Sequence, residues 1–282
     1  ATGFKSMFLN TTGLQNAAFG YEALYSNTSG NYNIALGITA LGANTTGNNN
    51  VGIGKLALTN NTTASDNTAV GYRSLAANTT GAGATAVGRD SLYSNTTGTF
   101  NTAVGKYALW ANTTASSNTA VGYDSLQANT TGANNTGFGR DALRVNTTGA
   151  QNVAVGFEAL KAHTTSNDCV AVGYQSQLAT TTGTNNTSLG MGSLRTITTQ
   201  SGNTAIGTAS QYISAAAGNT SVGFESLRYN TTGSVNTAVG KDSLKTNTTG
   251  TYNTAIGIGA LSANTTASAL VAVGEFALEA NT

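Results

Sequence analysis

A repeat of 17 residues runs through the chain and constrains its fold more than any other feature. Residues 101–117, for example, read NTAVGKYALWANTTASS. The Gly that ends the Asn-Thr-Ala-Val-Gly phrase falls at 3, 20, 37, 54, 71, 88, 105, 122, 139, 156, 173, 190, 207 and, after one step of 16, at 223, 240, 257 and 274. Such regularity predicts that one structural unit is stacked on copies of itself.

The apolar positions of the repeat predict its secondary structure. Numbered from the Asn, position four is apolar in sixteen of seventeen repeats, position nine is Leu in fourteen, and position two is Thr or a β-branched aliphatic in most. Positions two and four share one face of a strand, which we expect to be the buried face. A 17-residue repeat is too short for a strand plus a crossover helix, which needs about 30 residues. The pattern therefore predicts an all-β fold, a parallel β-solenoid of about 17 coils.

The repeat also predicts the domain organisation. Residues 1–282 should form a single repetitive β-solenoid domain, and because both ends fall within a repeat, we expect a segment of a longer chain or a processed filament subunit. The rules fail together in about 163–218, where position twelve loses its Asn, Leu at nine becomes Gln twice, and the one-residue deletion falls. Function and repeat drift explain this region equally well, and a bend, a loosened coil or a contact site remain open.

Asn dominates two corners of the repeat, positions one and twelve. Asn tolerates left-handed geometry and bonds its own backbone at tight turns. Identical Asn side chains can also bond to one another along a stack. We therefore expect a structural ladder at position twelve that includes Asn95, Asn112, Asn129 and Asn146.

Position three carries only Ala, Gly or Ser, and we expect it to point outward, opposite to positions two and four. A column of such small side chains suggests that another chain approaches closely, although tight turns around the Gly would also exclude larger residues. The candidate chain–chain contact column is Ala69, Ala86, Ala103, Ala120, Ala154 and Ala171. The partner would be the chain itself, as a homotrimer of parallel solenoids about a common axis or as an end-to-end filament.

The Val-Ala-Val-Gly phrases at 153–156, 170–173 and 271–274 resemble the head repeat of trimeric autotransporter adhesins. The longer pattern, Asn-Thr-Ala-Val-Gly-x-x-(Ala/Ser)-Leu-x-x-Asn-Thr-Thr-Gly, is also similar to repeats of phage tail-fibre-type proteins. The resemblance covers essentially the whole chain and implies homotrimeric parallel β-rolls. The chain departs from the adhesin heads in its longer coil and its added Asn-Thr-Thr-Gly.

Aromatic residues concentrate at positions six and ten, on the expected outer edge of the coils. The candidate ligand-contact residues are Tyr72, Tyr93, Trp110, Tyr123 and Tyr174. Rings at an exposed edge could stack on the sugars of a cell-surface glycan. We favour the alternative that they cover neighbouring coils or fill a groove between chains.

Most of the acidic residues lie at position seven, and bases at six and ten flank them. Seven of the eleven acids occupy this position, with Glu158 beside Lys161 and Asp242 beside Lys245 as examples. Stacked like charges repel, so the bases should form a solvated, weakly stabilising ion-pair stripe. A cation site between stacked carboxylates is the sharper alternative.

Composition excludes several classes of function. Charged residues make up 8% of the chain and the net charge is +1, which predicts no nucleic-acid partner. No apolar run approaches the roughly 20 residues of a membrane span, so we expect no membrane insertion. The single His163 and the single Cys169 lie six residues apart with Asp168 nearby, and each replaces a ladder Asn in the irregular stretch. We therefore predict no enzyme, no catalytic, cofactor-binding or metal residues, and no cofactor.

The sequence as a whole predicts a structural fibre or adhesin segment, a stiff rod for surface attachment or receptor presentation. We expect a phage tail fibre, extracellular or on the virion surface. The alternatives are a bacterial surface adhesin of the trimeric autotransporter kind and a self-assembling extracellular filament. An ice-binding protein is a further alternative, because Asn112 and Thr114 could form two outward columns in a regular stack.

Overall fold

A computed structural model describes residues 1–281, and Thr282, the last residue of the predicted domain, lies outside them. The chain forms two compact units, the N-unit Ala1–Asp141 and the C-unit Ala142–Thr282. The N-unit strands are β1 Ala17–Phe19, β2 Ile34–Leu36, β3 Val51–Ile53, β4 Thr68–Val70, β5 Thr85–Val87, β6 Thr102–Val104, β7 Thr119–Val121 and β8 Thr136–Phe138. The C-unit strands are β9 Val153–Val155, β10 Val170–Val172, β11 Thr187–Leu189, β12 Thr204–Ile206, β13 Thr220–Val222, β14 Thr237–Val239, β15 Thr254–Ile256 and β16 Val271–Val273.

Within each unit, consecutive strands pair in parallel and in register. Ala86 of β5 lies opposite Ala103 of β6, and Ala238 of β14 lies opposite Ala255 of β15. The predicted all-β parallel β-solenoid with a 17-residue period is thereby confirmed. Within residues 1–281 no helix has the length and hydrophobicity that a bilayer span requires.

Hydrogen bonds between coils continue well beyond the three-residue strands. The Leu92 N–H donates to the Ala108 carbonyl at 3.0 Å, and the Thr96 N–H donates to the Thr113 carbonyl at 2.8 Å. Equivalent bonds recur from coil to coil in both units. Buried backbone groups must be paired. Because hydrogen bonds to the neighbouring coils run around most of each coil, a strand of only three residues is enough to hold the coil in the stack.

The side chains at positions two and four lie on the outer face of the coil and not in its core, contrary to the sequence-based prediction. The middle residue of every strand is buried and its two neighbours are exposed or half-buried, as in Thr102, Ala103 and Val104. The interior instead holds positions three, eight and nine, with Leu109 and Ala108 fully buried. Positions two and four share a face, as expected, but it is the outer one.

The Leu of the preceding coil explains why position three is small. A Cβ built on Gly52 would lie 3.2 Å from the Leu41 Cγ and 3.3 Å from the Ala57 carbonyl oxygen. A methyl group nearly fills this space, so any larger branched side chain would overpack the core.

The predicted chain–chain contact column is therefore wrong. Each of its members is 0% exposed within its own chain: Ala69, Ala86, Ala103, Ala120, Ala154 and Ala171. These side chains face the column of buried Leu and have no surface to offer a partner.

Two amide ladders flank the Leu column. The Asn112 Nδ2 donates to the Asn95 Oδ1 at 2.8 Å and to the Ala115 carbonyl at 3.0 Å. The same carbonyl accepts from the Asn101 Nδ2 at 2.7 Å, and the Asn101 Oδ1 accepts from the Asn118 N–H at 2.9 Å. All four Asn side chains are fully buried, so each ladder satisfies polar groups that the coil itself creates.

The other ladder residues singled out from the sequence occupy equivalent places. Asn129 donates to the Asn112 Oδ1 at 3.1 Å and to the Gly132 carbonyl at 2.9 Å. In the C-unit, Asn146 donates to the Gly149 carbonyl at 2.9 Å. Because Asn112 is buried, it cannot form the outward column that the ice-binding alternative assigned to it.

In the irregular coils, Gln replaces the core Leu twice, and each Gln is paired with a Ser. The Nε2 of Gln177, at position nine, donates to the Val170 carbonyl at 2.8 Å and to the Ser188 Oγ at 2.9 Å. Gln211 makes the same two kinds of bond, to the Thr204 carbonyl and to Ser221. Ser occupies position three only in the two coils that follow a Gln, so each pair compensates itself.

The one-residue deletion removes position fourteen. Ala215 makes the backbone bond of position thirteen, to the Thr231 carbonyl at 2.8 Å, and the next residue, Ala216, accepts the position-fifteen bond from Asn203 at 3.0 Å. Position fourteen is exposed elsewhere, as at Thr114. The coil therefore shortens without losing a ladder residue to the deletion.

Replacing Asn112 with Leu should lower the free energy of unfolding by about 2–3 kcal/mol, because the buried Asn95 Oδ1 loses its donor and Asn129 loses an acceptor. Urea unfolding followed by circular dichroism measures the change. Thr114→Ala, two residues away and exposed, should shift stability by less than about 0.5 kcal/mol. Equal midpoints for the two variants would contradict a stabilising ladder.

A double-mutant cycle should show coupling between Gln177 and Ser188. Ser188→Ala alone should destabilise by about 1 kcal/mol, since the Gln177 amide loses a partner. The double variant Gln177→Leu/Ser188→Ala should be more stable than the natural chain, because it restores the apolar core and removes the buried Gln177 Oε1, which has no partner within residues 1–281. Additive effects of the two substitutions would contradict the pairing.

Candidate functional site

The turn after each strand places positions six, seven and ten side by side on an outer edge. In the C-unit, the same-coil ion pairs between positions seven and ten are Glu158–Lys161 at 2.6 Å, Asp242–Lys245 at 3.0 Å, and Glu225–Arg228. Lys245 also reaches Glu225 at 2.8 Å, and its hydrogen bonds to Glu225 and then Asp242 raise its pKa. The sequence-predicted ion-pair stripe is present, but its acids are largely buried and only its bases are solvated to the expected degree. Because the bases are partly exposed, each pair stabilises the fold only weakly.

The N-unit edge carries a cluster of arginines and aromatic rings. Asp90 is fully buried and accepts from Arg73 at 2.7 Å and from Arg89 at 3.1 Å. The hydrogen bond to Asp90 raises the pKa of Arg73. The Arg73 guanidinium lies 5.0 Å from the Tyr72 ring centroid and 4.8 Å from that of Tyr93. Cation–π contacts thus fix both rings against the ion pair.

The predicted ligand-contact aromatics stack along the edge but do not converge on one site. Tyr93 stacks on Trp110 at 6.2 Å, which joins both to the Arg73 cluster. Tyr123 meets a different ring, Tyr107, edge-on at 6.3 Å. In the C-unit, Tyr174 stacks on Phe157 at 5.4 Å and, at 51% exposure, is the most exposed of the five. The rings therefore pack between coils and still present area to solvent.

A cleft in the C-unit was missed from the sequence. It has a volume of about 180 Å³. Its lining residues are Tyr174, Gln175, Met191, Gly192, Arg195, Ala209 and Tyr212. The available signal was Arg195, the one base at position ten that has no acid three residues earlier in the sequence, where Gly192 stands. Of the predicted residues, only Tyr174 belongs to this cleft.

Hydrogen bonds order the polar side of the cleft. The Arg195 Nη1 donates to the Tyr212 hydroxyl at 2.6 Å, and its Nε donates to the Gln175 Oε1 at 3.2 Å. The Gln175 Nε2 in turn donates to the Glu158 Oε2 at 2.7 Å. The guanidinium is thus held in a defined orientation at the mouth of an open cleft.

His163 and Cys169 occupy ladder sites. The His163 Nε2 donates to the Ser166 carbonyl at 2.9 Å, since a carbonyl can only accept, and burial lowers the pKa of His163. The Cys169 Sγ donates to the Gly183 carbonyl at 3.2 Å, and burial raises the pKa of this thiol. Both residues replace a ladder Asn and keep its bond to the carbonyl at position fifteen, and Asp168 is exposed. The geometry assigns them structural roles.

The described part of the chain, residues 1–281, contains no group of three or more His, Cys, Asp or Glu side chains placed to hold a metal ion. Comparisons of the chain with known protein families and with curated proteins found no match.

Replacing His163 with Asn should remove a pH dependence of stability. The pKa of His163 is lower in the folded chain than the unfolded value of about 6.5, so the unfolded chain binds more protons as the pH falls. The contribution of the neutral imidazole is complete above about pH 6.5 and is lost as the pH falls below it. Urea midpoints of the natural chain and His163→Asn should diverge between about pH 7.5 and 5. Parallel curves would contradict this, since His163 is the only histidine.

Proposed function

We propose that the chain is a structural, non-enzymatic segment of a fibre, and that its copies associate through the outer strand face formed by positions two and four. The observation that carries this proposal is the apolar column at position four of each unit, whose side chains are exposed or half-buried. In the N-unit it includes Phe19 at 59%, Leu36 at 46%, Val87 at 36% and Phe138 at 53% exposure. In the C-unit it includes Leu189 at 48%, Ile206 at 37%, Ile256 at 41% and Val273 at 67%.

The position of this face, rather than its area, favours an interface. Eight strands about 4.8 Å apart, with two side-chain columns some 7 Å apart, give each unit a face of roughly 270 Å². On this face an aliphatic or aromatic side chain recurs at position four of every strand and contacts solvent, and apolar side chains clustered in this way are typical of contact surfaces.

A second copy of the same chain is the partner that fits best. The two columns repeat with every coil, so a parallel copy presents the same residues at the same spacing. The resemblance to trimeric adhesin heads and tail fibres favours three copies about one axis. Such a fibre would lie outside the cell or on a virion, with a phage tail fibre first and a bacterial surface adhesin or extracellular filament as alternatives.

Sedimentation of the natural chain should give three times the chain mass of 28.3 kDa. The variant Val70→Lys/Val87→Glu/Val104→Lys places alternating charges on the proposed interface, where neighbouring coils can pair them, and should sediment as a single chain. Thr80→Lys/Thr97→Glu/Thr114→Lys, on the exposed position fourteen of the same coils, should sediment like the natural chain. A natural chain that sediments at the single-chain mass would refute the association, and a two-chain mass would refute the three-fold arrangement.

An ice-binding role is a second candidate because ten of the sixteen strands in residues 1–281 begin with Thr, which forms an outward column beside the aliphatic one. Phe19, Phe138 and Leu189 protrude from that face and interrupt its regularity. We therefore expect no thermal hysteresis from the natural chain. Measured hysteresis that disappears on replacing the outward Thr column would favour this candidate instead.

A further inference from the structure

Arg195 breaks the ion-pair rule of its own repeat. Three coils of the C-unit pair a base at position ten with an acid at position seven, three residues earlier. At Arg195 the residue three positions earlier is Gly192, which has no side chain. Among residues 1–281, no carboxylate oxygen lies within the 4.0 Å that defines an ion pair with Arg195.

The guanidinium is nevertheless oriented. Its bonds to Gln175 and Tyr212 use two of its five N–H groups, and its centre lies 5.4 Å from the Tyr212 ring centroid. The chain therefore holds a cation in place without supplying its counter-ion. A planar carboxylate from outside matches the fork of the remaining N–H groups.

The open space beside Arg195 also results from the Gly at position 192. A Cβ at Gly192 would lie 3.2 Å from the Tyr212 ring, so a side chain there would fill the cleft. The cleft volume of about 180 Å³ is below the roughly 300–1,000 Å³ of sites for drug-sized ligands, which points to a single ring-sized group. Tyr174 and Met191, 51% and 55% exposed, give the cleft an apolar side.

We propose that this cleft binds an acidic sugar residue, with Arg195 on its carboxylate and Tyr174 against its ring. One face of Tyr174 is covered by Phe157, and the ring lines the cleft. The electron-rich face of an aromatic ring attracts the polarised C–H groups of a sugar. The Gln175 amide and Tyr212 hydroxyl lie beside the guanidinium and can bond sugar hydroxyls.

An acidic peptide fits this cleft less well. The Gly192 N–H already donates to the Tyr174 carbonyl, and the Ala209 N–H donates to the Met191 carbonyl, each at 2.9 Å. A peptide would therefore find few main-chain partners, which are the usual source of affinity for an extended segment. The cleft uses positions six, seven and ten, so it goes beyond the proposed self-association and does not depend on it.

Calorimetric titration of the full chain with trigalacturonate tests the proposal. The neutral methyl ester of the trimer and hexaglutamate are the comparison ligands. Arg195→Gln removes the cation, and Gly192→Asp supplies the missing carboxylate from within the coil. Lys245→Gln is the matched control, because it removes a position-ten base that already has carboxylate partners outside the cleft. Circular dichroism checks the folding of each variant, and sedimentation of the same samples reports assembly separately.

Trigalacturonate should bind the natural chain and Lys245→Gln alike. It should bind Arg195→Gln and Gly192→Asp at least about tenfold more weakly, since a hydrogen-bonded charge pair is lost. The ester and hexaglutamate should bind at least about tenfold more weakly than trigalacturonate. Absence of trigalacturonate binding would overturn the proposal, as would equal binding by Gly192→Asp, by the ester or by the peptide. An equal loss in Lys245→Gln would show attraction by general charge and would also overturn it.

Discussion

Coil-to-coil backbone hydrogen bonding is the constraint on which the rest of the structure depends. In register, each residue lies about one strand spacing from its counterparts in the coils before and after it. Every position thus becomes a column, and each side chain must tolerate near copies of itself. Leu tolerates this by packing and Asn by donating to the Asn of the preceding coil, whereas acids need bases beside them, as at Glu158 and Lys161.

The interior is therefore as much a polar structure as an apolar one. Each coil turns through left-handed residues, among them Leu109 with a φ of 50°. Such a conformation costs about 1–2 kcal/mol in a non-glycine residue, and full burial of the Leu side chain returns about 1.5–3 kcal/mol. The amides of Asn101 and Asn112 meet on one carbonyl, that of Ala115, so the corner needs no water.

The period, the parallel coils, the buried Leu column and the Asn corners could be predicted because each depends on residue type at a fixed spacing. Which face of each strand is buried could not be predicted from the two-residue alternation of a strand. That alternation shows which residues share a face but not which face is inside. Leu at position nine held the missing information, since a large residue under Gly52 or Ala103 leaves room only for a methyl group. The cleft was missed for a different reason: it is defined by side chains that are absent, at Gly192 and Ala209.

The departures from the repeat are of two kinds, and the difference separates drift from a candidate site. In the core, the Gln177 amide is hydrogen-bonded by Ser188. The deletion removes the exposed position fourteen, and Ala216 still accepts the position-fifteen bond. At the edge, Gly192 stands where the coils of Lys161, Arg228 and Lys245 have an acid, and no carboxylate of the described chain forms an ion pair with Arg195 in its place. The Arg195 guanidinium is nevertheless held by two hydrogen bonds. A cation that is oriented but has no counter-ion in the described chain therefore points to a partner outside it.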